Sequence, residues 1–479
     1  MSGDLAHSIA MSCEIHRSRR AISDEMEDLT YGDFAERTGA LVDRLCECQL
    51  RKDEPVIVRV SNRAADLVAF QAVWLAGGVV VPLHTDTPPA VLAEAVSTTG
   101  ASLMVDNYRI VPSGQREVPV NPLLRDAALV VLTSGSTGKP KGVVLSHRAF
   151  LGKLEAIQTR LSFDYDTRTL LVLQITFSFG IWTSLLTLQH GGHLTMRRKF
   201  SPAGVWDALS RDAITDVALV PTMIRALLAD RQPIIPCETL RRLLTGGEPM
   251  GTALGEATLK LFPKADIVDV YGLTETSTSD FMSISKVVSG ASGAIGRPTP
   301  GIEFRIVDAG VEVNPGQPGE LQIKTPFVMN GYLNEPDLTE AAFDGAFFKT
   351  GDLARQRADG VIELVGRAKE VISRGGNKIA PLELDNLLAR HPDVAAALTT
   401  GVPDELLGEK VHILVLTRAG SDLDESRLRA WLADKLERFK HPDVIHFGID
   451  IPLNRSGKGD RRVLREHILA NVYKTRAIS

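Results

Sequence analysis

The chain has 479 residues, 44% of them hydrophobic and 24% charged, with a formal net charge of −5. It is too long for one compact core, so two or more domains are expected, and the composition is that of an ordinary soluble globular enzyme. The mild acidity contains no long like-charge block, which excludes the electrostatic footprint of a nucleic-acid binder.

Four cysteines (Cys13, Cys46, Cys48, Cys237) lack zinc spacing and fit reduced thiols. No apolar run has signal-peptide or bilayer-spanning length, so a cytoplasmic protein without a membrane span is expected. In chain order, Thr30 is a helix N-cap with Asp33 three residues on, and apolar residues recur through Leu45. A strand at Val56–Val60 leads to an amphipathic helix over Ala64–Leu75, stopped by Gly77 and Gly78, and then to a buried strand from Val79 that ends at Pro82. Further strands at Leu103–Asp106 and Ala127–Leu132 continue this alternation, which predicts an α/β domain with a largely parallel sheet.

After the last of these strands comes TSGSTGKPKG, residues 133–142. Its glycines allow tight turns that expose backbone N–H groups. Thr133, Ser134, Ser136 and Thr137 add hydroxyl donors, and Lys139 and Lys141 add positive charge, a combination suited to wrapping a polyphosphate. A Walker-type loop fails on spacing: Thr133 stands where glycine is required, and Pro140 where Ser or Thr should hold magnesium. A flexible Ser/Gly turn is the bland alternative.

Strands are expected at Val143–Leu145, Leu170–Leu173, Leu194–Met196 and Val217–Val220. Asp269, Tyr271, Gly272, Thr274 and Glu275 then gather a carboxylate, an aromatic face and a hydroxyl at a strand end, where ligands sit in doubly wound sheets. From Gly293 to Arg367 short alternating segments predict a small, mainly β subdomain. From Lys369 onward the pattern is that of a compact α+β unit, with strands near Ala395–Thr400 and Val411–Leu416 and a helix near Glu425–Lys435. KTGD (349–352), GRAK (366–369), a glycine pair at Gly375 and Gly376, and IPLNRSGK (451–458) are each unremarkable surface turns when taken alone.

Together and in this order, these segments resemble those of the adenylate-forming superfamily, which includes acyl- and aryl-CoA synthetases, peptide-synthetase adenylation domains and beetle luciferases. The resemblance spans Thr133 to Lys458, and its texture is nearest to acyl- and aryl-CoA ligases. It implies a large N-terminal domain of stacked, mostly parallel sheets with helices and a small β subdomain (residues 1–368), and a small mobile α+β domain (369–479) hinged at Lys369. It implies that Thr133, Ser134, Gly135, Ser136, Thr137, Gly138, Lys139 and Lys141 hold the phosphates of ATP. Tyr271 stacks on adenine, Asp269 accepts from its amino group, and Gly247, Glu248 and Gly272 lie beside the nucleotide. Thr274 contacts the α-phosphate region, Glu275 binds Mg²⁺ as a hard oxygen ligand, and Asp352 and Arg367 hold the ribose. Lys458 is the matching catalytic lysine, reducing repulsion between a carboxylate and the α-phosphate it attacks.

For the acid, the resemblance points to Phe177, Ser178, Phe179, Trp182, Thr222, Gly246, Val270 and Ser277. Amino-acid-selecting relatives place an aspartate near Ser178, and serine cannot pair an ammonium, so an apolar or aromatic acid is favoured over an α-amino acid. The expected acceptor is CoA, with Gly375 and Gly376 letting its pantetheine arm pass close to backbone; loading onto a carrier-protein phosphopantetheine is the alternative. A luciferase-like oxygenase and a non-catalytic nucleotide-binding regulator stay open, though the intact Glu275 and Lys458 argue against the regulator.

Overall fold

The computed structural model describes residues 4–114, 121–134, 140–230, 237–248, 250–285, 294–418, 420–453 and 459–470. A seven-stranded sheet runs in the order Gly331–Tyr332, Pro140–Ser146, Ala127–Ser134, Val79–His84, Pro55–Val60, Leu103–Asp106, Arg109–Pro112. Its centre is parallel and its margins antiparallel. The central strands are nearly all Val, Ile and Leu because both faces are covered.

One covering element is the Ala64–Leu75 helix. Its sequence suggests an amphipathic surface helix, but every residue from Ala64 to Trp74 is buried. Two of its buried donors find backbone acceptors: the Gln71 amide N–H donates to the Ala6 carbonyl (2.7 Å) and the Trp74 indole N–H to the Ala128 carbonyl (2.7 Å). The strand expected to stop at Pro82 continues to His84. The missing N–H of Pro82 is tolerated because this strand bridges Ala127–Ser134 only at Val80 and Leu129. The N-terminal helix signal is realised as a capping box. Asp33 N–H donates to Thr30 Oγ1 (3.1 Å), and Thr30 N–H donates to the Asp33 carboxylate (2.9 Å).

The second sheet has fifteen strands. Its parallel part joins Arg20–Ser23, His193–Met196, Arg168–Leu171, Asp216–Ala218, Arg242–Gly246 and Asp266–Tyr271. Apart from Gly331–Tyr332, the short β segments between 294 and 367 are hydrogen-bonded onto this same sheet instead of forming one of their own. Ala294–Pro298 runs antiparallel to both Phe281–Ser285 and Ile362–Arg367, although the region keeps a separate core around Ile306, Leu321 and Ile323. The last unit holds a five-stranded sheet built from Ile372–Arg374, Asn377–Ile379, Val394–Asp404, Gly408–Thr417 and Val444–Phe447, with its own core around Ile413, Val415 and Leu428. Its Pro381–Leu388 helix leans on Ile362–Arg367, where a Cβ on Gly366 would come within 2.8 Å of Ala380.

Gly180 lets the Ser178–Gln189 helix begin hard against the Gln174 carbonyl, which a Cβ there would strike. Gly180→Ala should therefore destabilise the protein by roughly 1–3 kcal/mol, as overpacking of a close-packed interior does. Urea unfolding midpoints at an unchanged m-value would measure it.

Candidate functional site

Ala127–Ser134 and Pro140–Ser146 form an antiparallel hairpin that pairs Thr133 with Lys141 and Ser134 with Pro140. Chain 133–142 thus leads from strand to strand, and the helix starts only at His147, unlike the strand–loop–helix of a Walker motif. Gly135, Ser136, Thr137, Gly138 and Lys139 lie outside the described residues, as does Lys458.

The hairpin meets the end of the Asp266–Tyr271 strand through Tyr332, a residue the sequence reading did not single out. Tyr332 pairs with Val143, its ring lies 5.2 Å below Lys141 Nζ, and its hydroxyl donates to Glu275 Oε1 (2.9 Å). The Met329 N–H also donates to the Glu275 carbonyl (2.8 Å). Burial and the Glu275 carboxylate push the Tyr332 hydroxyl pKa upward, so it remains a donor. Thr274 opens a single 3₁₀ turn, Thr274–Thr276, that carries Glu275 past the strand end. Among the described residues no cluster of three or more His, Cys, Asp or Glu could hold a metal ion. Glu275 is a lone hard-oxygen donor, which fits an ion whose other ligands arrive with a bound phosphate.

Tyr271 ends the same strand and donates its hydroxyl to Asp352 Oδ2 (2.6 Å). Arg367 Nε lies 2.9 Å from Asp352 Oδ1, because Asp352 and Arg367 face each other across two antiparallel strands. Asp352 is almost fully buried, so its charge needs both partners. Desolvation and the neighbouring carboxylate raise the Tyr271 hydroxyl well above the usual phenol value. Two residues earlier, burial pushes the Asp269 carboxyl up to about 7.

Behind these groups, Glu248 Oε1 accepts from the Thr222 N–H (3.0 Å) and hydroxyl (2.6 Å), while Oε2 lies 3.6 Å from Arg225. Gly246 faces Val270 so closely that a Cβ would sit 2.5 Å from the Val270 carbonyl, and Gly247 has φ +86°. A side chain on Gly272 would collide with the Ser279 amide. Phe179 stacks on Trp182 with ring centroids 5.5 Å apart. Trp182 has no accessible surface and Ser277 is buried, donating to the Phe327 carbonyl (2.7 Å), whereas Phe177 is exposed and Ser178 half-buried. Lys369 is exposed, and Gly375 and Gly376 turn the small sheet's hairpin with φ +54° and +82°. No helix among the described residues is long and apolar enough to cross a membrane.

The sequence model for AMP-binding enzymes matches residues 9–118 and 109–333, and that for the AMP-binding enzyme C-terminal domain matches 383–458. A feruloyl-CoA synthase from Amycolatopsis sp is 31% identical over 453 residues, covering 90% of this chain and 92% of the relative. A 2-succinylbenzoate–CoA ligase from Bacillus velezensis is 30% identical over 472 residues, covering 94% and 95%. The crystal structure of ATP-bound MatB from Rhodopseudomonas palustris superposes with a TM-score of 0.86 at 25% identity, covering 98% of this chain and 100% of that one.

The Asp269 shift has a defined sign. Between the unfolded value near 3.8 and about 7 the folded protein holds a proton that the unfolded chain has released, so this group makes stability fall as pH rises through that window. Asp269→Asn should therefore gain stability relative to the parent as pH moves from 4 to 8, measured as the difference in thermal midpoints at the two ends.

Proposed function

This chain belongs to the AMP-binding enzyme family and is an AMP-forming acid–thiol ligase of the acyl- or aryl-CoA kind, and on that premise we propose that its acid is apolar or aromatic. The reaction has two halves. A carboxylate oxygen attacks the α-phosphorus of ATP, the bond to the β-phosphate breaks, and pyrophosphate leaves an acyl-adenylate. The CoA thiol, losing its proton, then attacks the acyl carbon and AMP departs.

Each residue role here is our assignment. Tyr271 presents its ring to adenine, Asp269 accepts from the adenine amino group, and Asp352, held between Tyr271 and Arg367, accepts from the ribose hydroxyls. Thr133, Ser134 and Lys141 at the hairpin end take the phosphates, together with residues 135–139. Thr274 serves the α-phosphate, and Glu275 would hold the Mg²⁺ that accompanies the nucleotide, which would offset the nucleotide's negative charge. Lys458 bridges the two approaching anions in the first half-reaction and leaves when residues 369–479 rotate about Lys369, opening a path for pantetheine past Gly375 and Gly376. One observation carries this reading: Tyr332 links Lys141 of the hairpin to Glu275 of the strand end, so the groups assigned to phosphate and metal converge.

The choice of acid is supported by charge. Ser178 carries none, and Glu248 already accepts from Thr222 and lies 3.6 Å from Arg225, so neither supplies a dedicated partner for a substrate ammonium. In ATP–pyrophosphate exchange, aryl and medium apolar acids should exceed their α-amino counterparts in kcat/KM by about a hundredfold or more, the scale of an unpaired buried charge. AMP and pyrophosphate should be the products and CoA the thiol consumed. An α-amino acid as best substrate, or turnover only with a phosphopantetheinylated carrier protein, would overturn the acid or the acceptor respectively.

Lys458→Ala should cut adenylate formation by about 10²–10³-fold, the cost of one charge-assisted transition-state contact, while sparing thioester formation from pre-made adenylate. Lys369→Pro, which freezes φ at the hinge, should do the reverse. Quenched-flow assay of the two half-reactions separates them; equal loss of both in Lys458→Ala would remove the case for a rotating domain.

A further inference from the structure

Directly beneath the Tyr271–Glu275 segment lies an ion pair that the proposed chemistry does not use. Lys153, in the middle of the His147–Leu161 helix, places its Nζ 2.7 Å from Asp280 Oδ1, and neither side chain has any accessible surface. The other Asp280 oxygen accepts from the Thr276 hydroxyl and, at 3.4 Å, from the Leu273 N–H. Lys153 also lies 5.2 Å over the Phe327 ring, whose carbonyl takes the Ser277 hydroxyl. Between these anchors the backbone is strained. Ser277, Thr278 and Ser279 have φ of +58°, +71° and +45°, three successive non-glycine residues in the left-handed region. Thr299 Oγ1 donates to the carbonyls of both Ser279 (3.0 Å) and Asp280 (3.2 Å), pinning the far end.

A buried ion pair is a poor source of net stability, because removing two charges from water offsets most of their attraction. Burial pushes the Asp280 carboxyl up and the Lys153 ammonium down, each against the pull of its partner. A strained loop persists only where its surroundings over-determine it, and such strain gathers at functional sites. Here the loop begins at Ser277, with only Thr276 between it and Glu275, and folds back against Gly272.

We propose that Lys153 and Asp280 are a positioning pair for adenylate formation: through Thr276 and the Leu273 amide, Asp280 holds the Leu273–Ser279 loop in its left-handed path and so aims Thr274 and Glu275. The pair touches no reacting atom. Its role rests on the assignment of Glu275 to the metal and Thr274 to the α-phosphate.

The test uses the full-length enzyme with two kinds of variant. Lys153→Met/Asp280→Leu removes both charges at similar volume, so neither is left unpaired, and its thermal midpoint should match or exceed the parent's. Thr276→Val deletes only the hydroxyl, and Thr276→Ser restores it. ATP–pyrophosphate exchange should fall in the double variant by about 10²-fold, the scale of an ångström-sized misplacement. The Mg²⁺ concentration for half-maximal rate should rise, and thioester formation from pre-made adenylate should stay within about threefold of the parent. Thr276→Val should shift exchange and Mg²⁺ demand in the same direction, and Thr276→Ser should recover them. Parent-like exchange in a stable double variant, or a parallel fall of both half-reactions, overturns the proposal. Glu275→Gln, run alongside, should raise the Mg²⁺ demand by itself. If it does not, the metal assignment is wrong and the pair's role in aiming that carboxylate falls with it, whatever the pair variants do.

Discussion

The bond from the Tyr332 hydroxyl to Glu275 joins two sheets assembled from different stretches of chain. Tyr332 belongs to the edge of the seven-stranded sheet, paired with the strand that ends the hairpin; Glu275 follows the last parallel strand of the fifteen-stranded sheet. Both sheets pack on one shared hydrophobic core, which includes the Ala64–Leu75 helix buried between them. The seam at the ends of these strands holds the hairpin's Lys141 and the Glu275 carboxylate on either side of Tyr332. Under the proposed assignment, an anion bound there would meet Lys141 from one sheet and a cation held by Glu275 from the other.

Charges around this seam are arranged in two ways. Asp352 is placed by cross-strand register against Arg367 and capped by the Tyr271 hydroxyl, so both of its oxygens are fixed in place, which suits the ribose-binding role proposed for it. Preorganisation of this kind limits the entropy lost when a nucleotide binds. Lys153 and Asp280 are instead sealed completely, where solvent can neither screen nor replace them. A pair with little net stability and full burial is better understood by what it holds in place, namely a loop of three left-handed residues that glycine does not ease.

The face proposed to take the acid is less polar. The Phe179–Trp182 stack belongs to the packing of the Ser178–Gln189 helix, and Trp182 offers no surface of its own in this conformation. Glycines matter here for approach more than for flexibility. Gly246 lets two strands come together with nothing between them, and any side chain would strike the Val270 carbonyl. Relatives bearing names as different as feruloyl-CoA synthase and 2-succinylbenzoate–CoA ligase share this chain's length almost fully. A common adenylate-forming frame thus carries different acid faces, which is how function is distributed over a fold.

Local order was written plainly in the sequence. The Thr30–Asp33 capping box, the helix stop at Gly77, and the run of strands ending at Tyr271 follow from propensity, capping and periodicity, which act over a few residues. The segments proposed to face the nucleotide were legible only as an ordered set: singly most are ordinary turns, and it is their sequence from Thr133 to Lys458 that carries the family resemblance. Lys153 left a trace as well, a lysine flanked one turn away by Ala149, Phe150, Ala156 and Ile157. Its partner 127 residues away could not be read from that trace. Tyr332 is one aromatic residue after a glycine, and only the pairing of Gly331–Tyr332 with Pro140–Ser146 brings it to Glu275. The all-round burial of Ala64–Trp74 and the fusion of the 294–367 strands, Gly331–Tyr332 excepted, onto the large sheet were likewise decided in three dimensions. Which sheet a strand joins, and what covers a helix, depend on contacts between segments far apart in the chain, whereas composition and periodicity report only on neighbours.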